Sequence, residues 1–92
     1  MVPIQQVLPG ALAAVLRKAP LTKEKVEFAW RTAVGPALAK VTTVDLRDRR
    51  LRVAARDANW QREVNRARPV ILARLKDVLG DAVDGLDVSA RR

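Results

Sequence analysis

Between Thr42 and Arg56 the chain stops repeating at helical spacing and begins to alternate. Val44 and Leu46 alternate with Thr43, Asp45 and Arg47, and Leu51, Val53 and Ala55 alternate with Arg50, Arg52, Ala54 and Arg56. A period of two is what a strand with one buried face requires. Asp48-Arg49 lies between the two runs, where the turn of an antiparallel hairpin belongs. The two-residue turn that matches strand twist prefers glycine at its second position, so Arg49 predicts a longer or mildly strained turn. A hairpin with one apolar face is not stable alone, and the rest of the chain must cover that face.

The flanking segments read as helices. Leu8, Leu12, Val15 and Leu16 recur at three- and four-residue spacing, which predicts a helix over 6–18 that has Pro9 near its first turn and is broken by Ala19-Pro20. Thr22 is a suitable N-cap for a second helix, whose stripe is Val26, Ala29, Trp30, Ala33 and Val34 and which Gly35-Pro36 ends. A short helical turn is expected over 37–40. After the hairpin, Asp57 caps a third helix with Trp60 and Val64 on its inner side. A proline inside a helix costs roughly 3 kcal/mol, so Pro69 predicts two helices meeting near 66–69 rather than one rod. The last helix uses Ile71, Leu72, Leu75, Val78 and Leu79 and stops at Gly80; Leu86 and Val88 suggest a final strand, with Ala90 to Arg92 fraying.

This order predicts an α+β fold, with helices packed on one face of a small three-stranded sheet. The two helices after the hairpin, with the strands on either side, follow the order of a type II KH domain. KH modules grip a nucleic-acid backbone through a Gly-x-x-Gly loop between two helices. Here that junction reads Asn65-Arg66-Ala67-Arg68-Pro69, so both glycines are missing. The 92 residues make one domain over 1–92, with its core at about 5–89.

Charge carries the functional argument. The net charge of +8 is concentrated: residues 40–76 hold eleven Lys/Arg against four acids, whereas residues 77–92 hold four Asp against two Arg. A basic centre favours a polyanion, nucleic acid first, although a solvated surface gives the same composition. Arginine outnumbers lysine 13 to 5, which suits bidentate phosphate contacts. Arg47, Arg50, Arg52 and Arg56 share the hairpin's polar parity, Arg62 and Arg66 lie opposite Trp60 and Val64, and Arg68, with Arg74, extends the set. With three aromatic residues in total, stacking platforms for single-strand reading are scarce. Trp30 and Trp60 are either core anchors or exposed hot spots, and their places on apolar stripes favour the core.

Catalysis has little support. The chain has no histidine and no cysteine, so the usual acid-base group, thiol nucleophile and disulfide are all missing. Asp77, Asp81, Asp84 and Asp87 lack the pattern of a calcium loop and are read as acids that cap and solvate the last helix. No phosphate-binding glycine loop occurs, and no cofactor, metal or small-molecule substrate is expected. No apolar run approaches the ~18 residues of a membrane span and no signal peptide is evident, so a cytoplasmic protein is expected.

Several of these residues form a recognisable set. Trp30-x-x-x-Val34-Gly35-x-x-Leu38-Ala39, the hairpin from Leu46 to Leu51-x-Val53, Asn59-Trp60-x-x-Glu63-Val64, and the run from Pro69 to Leu79-Gly80 together resemble the bacterial DciA-like family. The resemblance spans roughly residues 5–89. It implies a KH-like fold, binding to the replicative helicase and to DNA in replication, and no enzymatic activity. Trp30, Gly35 and Trp60 match family positions and are expected to be structural. Arg49 stands where a glycine is usual. The readings from another class are an RNA-binding KH-like module and a protein-interaction module that touches no nucleic acid.

Overall fold

A computed structural model describes residues 10–90. Among them the chain forms α1 (Gly10–Lys18), α2 (Lys23–Val34), α3 (Pro36–Lys40), β1 (Thr42–Arg47), β2 (Arg50–Ala55), α4 (Ala58–Arg66), α5 (Arg68–Leu79), a 3-10 turn at Gly80–Ala82 and β3 (Gly85–Ala90). The architecture is α+β, with helices packed on one side of a mixed sheet. The strand order is β1-β2-β3. β1 and β2 pair antiparallel, from Thr42 opposite Ala55 to Arg47 opposite Arg50. β3 returns parallel to β2, with Leu51 opposite Leu86 and Arg52 opposite Asp87. The α4–α5 crossover supplies the length that a parallel connection needs.

Local chemistry explains most boundaries. The Thr22 side chain accepts from the Lys25 N–H at 3.1 Å, and Asp57 accepts from the Trp60 N–H at 3.0 Å, so both expected N-caps form. Gly35 adopts φ 86° and ψ 167°, a region essentially reserved for glycine, and thereby joins α2 to α3 without a loop. α4 and α5 share Ala67 as the residue between them, and Pro69 falls in the first turn of α5, where its missing N–H removes no helix bond. The hairpin turn is the tight two-residue kind, with Asp48 at φ 51° and Arg49 at φ 65°. It is the strained alternative rather than a longer loop.

The core lies between the sheet and the helices. Leu51, Val53 and Leu86 from the sheet meet Val26, Ala29 and Trp30 of α2, Val64 of α4, and Ile71, Leu75 and Val78 of α5. Trp30 is 3% exposed. Its indole N–H donates to the Thr42 hydroxyl at 2.8 Å, and that hydroxyl donates to the Leu38 carbonyl at 2.8 Å. Buried polar groups must be paired, and this relay pairs them while joining α2, α3 and β1. Lys25 closes the α1–α2 corner by donating to the carbonyls of Ala19 at 2.8 Å and Arg17 at 3.3 Å.

Three expectations need correction. The α1 stripe is not buried as a whole: Leu16 packs on the core, but Leu12 is 45% and Val15 65% exposed. α1 packs on α5, which leaves part of its stripe without cover; residues 6–9, with Leu8 and Pro9, lie outside the described residues. Trp60 is half-buried and stands apart from the core cluster, whereas Val64, one turn along, is fully buried. Ala90 belongs to β3 rather than to a fraying end, and residues 91–92 lie outside the described residues.

Thr42→Val keeps the side-chain shape but leaves the Trp30 N–H without an acceptor. It should lower stability by about 1–3 kcal/mol in urea unfolding. Arg49→Gly removes an L-residue from a left-handed conformation that costs about 1–2 kcal/mol, part of which the added chain freedom offsets. Thermal unfolding of that variant should shift upward by several degrees.

Candidate nucleic-acid and partner interface

Strand parity brings Arg47, Arg50 and Arg52 to the face of the sheet that no helix among the described residues covers. All three are exposed. Their neighbours on that face are acidic. Arg52 stands opposite Asp45 on one side and Asp87 on the other. Arg47 Nε lies 2.7 Å from Asp45 Oδ2, and Arg50 Nη2 lies 2.6 Å from Asp87 Oδ1. The face is therefore a charge lattice with a cationic excess, not a row of free arginines.

Arg50 is the most engaged of the set. Besides its two bonds to Asp87 it donates to the Leu86 carbonyl at 3.2 Å. Its guanidinium lies across Gly85, where a Cβ would come within 2.5 Å of Nη1. The bare glycine makes room for this side chain. The hydrogen bond to Asp87, followed by Coulomb attraction from the same carboxylate, raises the Arg50 pKa. The bond from Arg50 holds the Asp87 carboxyl below the usual aspartate value; desolvation opposes the shift, and attraction from Arg50, Arg52 and Arg68 reinforces it.

Arg56 follows β2, and its backbone N–H donates to the Val41 carbonyl at 2.8 Å. The side chain is exposed and has no carboxylate partner among the described residues. α4 packs on the inner side of the sheet through Val64. Arg62 and Arg66 therefore project from the opposite side of the molecule to Arg47, Arg50 and Arg52. Arg62 bonds to Asn59, and Arg66 pairs with Glu63 at 3.5 Å. Asn59, Trp60, Arg62, Glu63 and Arg66 line one shallow depression, so the half-buried Trp60 borders the α4 cations. Arg68 lies at the outer edge of β3, where it donates to the Leu86 carbonyl at 2.7 Å and to Asn65.

The arginines thus divide into a sheet group and an α4 group, with Arg68 at the β3 edge. Arg52, Arg56 and Arg62 are exposed and lack a carboxylate partner among the described residues; Arg47, Arg50 and Arg66 are ion-paired. Arg74 leaves the set. It donates to the Ala33 carbonyl at 3.2 Å and closes the end of α2 against α5.

Reading the sequence missed Asp45 and Asp87 as counter-charges. Asp45 was signalled by its parity with Arg47. Asp87 had no local signal, because it meets its arginines only through the parallel return of β3. Among the described residues no group of three or more acidic side chains could hold a metal ion, and no helix is long and apolar enough to cross a membrane.

In an NMR titration the Asp87 carboxyl should protonate below about pH 3.9, and Arg50→Gln should move the midpoint back towards that value. The folded-state pKa is the depressed one. Any stability the pair contributes is therefore present above pH ~4 and is lost as the pH falls through the lower folded value.

A protein-family model described as "Dna[CI] antecedent, DciA" matches residues 3–88, nearly the whole chain. No curated protein matches it.

Proposed function

The chain belongs to the DciA family, which is associated with helicase loading in replication and is not a known enzyme family, and from that premise we propose that it is a non-enzymatic adaptor that binds DNA and the replicative helicase. One observation carries the DNA part: Arg52, Arg56 and Arg62 are exposed and unclaimed by carboxylates among the described residues. Cations already matched by acids gain little from a phosphate, because the internal pair must first open. Unmatched ones release counterions from DNA at no such cost.

The β2–α4–α5–β3 order supports a KH-like reading of the fold. The grip would differ from that of a KH module. Without a Gly-x-x-Gly loop the backbone at Asn65–Pro69 offers no phosphate clamp, and Arg68 beside it is bonded to Leu86 and Asn65. Affinity then rests on guanidinium side chains from separate elements, which favours backbone contact over base reading. The helicase part rests on the family.

Salt-titrated binding to single-stranded DNA, duplex DNA and RNA tests the nucleic-acid claim. Duplex affinity should fall steeply with salt, and each of Arg52→Ala, Arg56→Ala and Arg62→Ala should reduce the salt slope by about one. Absence of binding to every probe at ~50 mM salt removes the nucleic-acid reading, and tighter binding to RNA than to either DNA favours an RNA module. A pull-down with the cell's replicative helicase decides the adaptor role.

A further inference from the structure

Among the described residues one edge of the sheet is bonded by side chains and the other is open. On β3, Leu86 and Val88 turn their carbonyls outward, and both carbonyls are taken: Leu86 by Arg68 at 2.7 Å, Val88 by Gln61 Nε2 at 3.3 Å. These bonds occupy carbonyls that an added strand would need.

β1 is different. The Arg56 N–H bonds to the Val41 carbonyl. In the observed register the positions that face β2 are then Val41, Thr43, Asp45 and Arg47. Thr42, Val44 and Leu46 turn their backbone N–H and C=O groups away from the sheet. Among the described residues no side chain bonds to these groups. No proline, bulge or lysine interrupts the strand.

Open space runs along this edge. Two depressions of about 300 and 340 Å³ share Lys23 and Val44, so they form one groove between α2 and β1. Leu21, Val26, Val44 and Leu46 make one half of it apolar, and the edge of Trp30 lines the other. A strand laid along β1 would turn every second side chain into this groove. At the Thr42 end stands Arg31, exposed and without a carboxylate partner among the described residues. Lys23 is matched by Glu27 at 4.0 Å and Asp45 by Arg47, so Arg31 is the unmatched charge of the groove.

We propose that the free edge of β1 and the groove beneath α2 form a docking site for an extended acidic peptide segment of a partner protein, added to the sheet as a fourth strand. Its alternate side chains are apolar, and a carboxylate meets Arg31. Strand addition draws affinity from main-chain bonds and specificity from alternate side chains, and this edge supplies both. A second copy of the chain is the weaker occupant, because each copy carries a net charge of +8 and two such bodies repel. The site involves none of the arginines assigned to DNA, and it does not depend on the helicase reading.

The test is an NMR titration of the isotope-labelled full chain with a synthetic nine-residue peptide in which valine alternates with threonine and glutamate. Amide shifts should concentrate at Thr42, Val44 and Leu46. The same peptide N-methylated at alternate residues, which cannot bond to the edge, should bind about tenfold or more weakly, as should a version with lysine for glutamate; each tenfold is about 1.4 kcal/mol. Val44→Pro should weaken binding similarly, since it removes an N–H that makes no bond within the sheet. If that variant does not fold, Arg31→Glu supplies the second reading, reversing the preference for glutamate over lysine.

No shift at these amides, or equal binding of the N-methylated peptide, overturns the proposal. Protection of the Val44 and Leu46 amides in a concentration-dependent dimer assigns the edge to a second copy and also overturns it. Protection in the monomer that is lost on removing residues 1–9 assigns it to the chain's own start, with the same result.

Discussion

Trp30 and Thr42 hold the two layers together. The indole is the largest side chain in the core, and its one polar atom would be costly to bury unpaired. Thr42 accepts from that N–H and donates its own hydroxyl to the Leu38 carbonyl. One hydroxyl thus ties α2 to the first residue of β1 and to the short helix between them. The position of β1 under α2 follows. Because a strand's faces alternate strictly, fixing Val44 and Leu46 inward puts Asp45 and Arg47 outward. Gly35 makes the same corner possible by reversing the chain between two helices in a conformation that other residues avoid.

The second organising constraint is the parallel return of β3. Along the chain, charge is segregated into a basic centre and an acidic end. Folding undoes much of that segregation. β3 carries Asp87 to a position opposite Arg52 and within bonding distance of Arg50, and Gly85 lets the Arg50 guanidinium lie flat across the strand. Exposed ion pairs of this kind contribute little to stability. Their effect is on the surface potential: they neutralise part of the sheet face, and of the arginines in the sheet and α4 groups they leave Arg52, Arg56 and Arg62 unmatched among the described residues.

Where contacts are local, the sequence could be read closely. Both N-caps act within one helical turn, the hairpin register within a few residues, and the division at Pro69 within a single peptide unit. Where a side chain's surroundings come from distant segments, periodicity was a weaker guide. Val15 lies on the apolar stripe of α1, yet the contact of α1 with α5 leaves it exposed. Trp60 lies on the same stripe as Val64 but outside the core cluster, beside Arg62 and Arg66. Arg74 has the composition of a surface cation and instead closes a helix end through the Ala33 carbonyl.

By itself the sequence determined the α+β class, most element boundaries, the hairpin's two faces and the positive charge of the chain, because each is set by residue type and spacing over a few neighbours. Only the tertiary structure decided that Arg50 is matched by Asp87 and that Arg52, Arg56 and Arg62 have no carboxylate partner among the described residues. It also decided that the cations lie on two sides of the molecule, and that the β3 edge is capped while the β1 edge is open. The physical reason is common to all of these. An ion pair or a capped carbonyl depends on groups meeting in space, and here the decisive partners, Arg50 with Asp87 and Arg68 with Leu86, are brought together by a strand that returns only after two intervening helices.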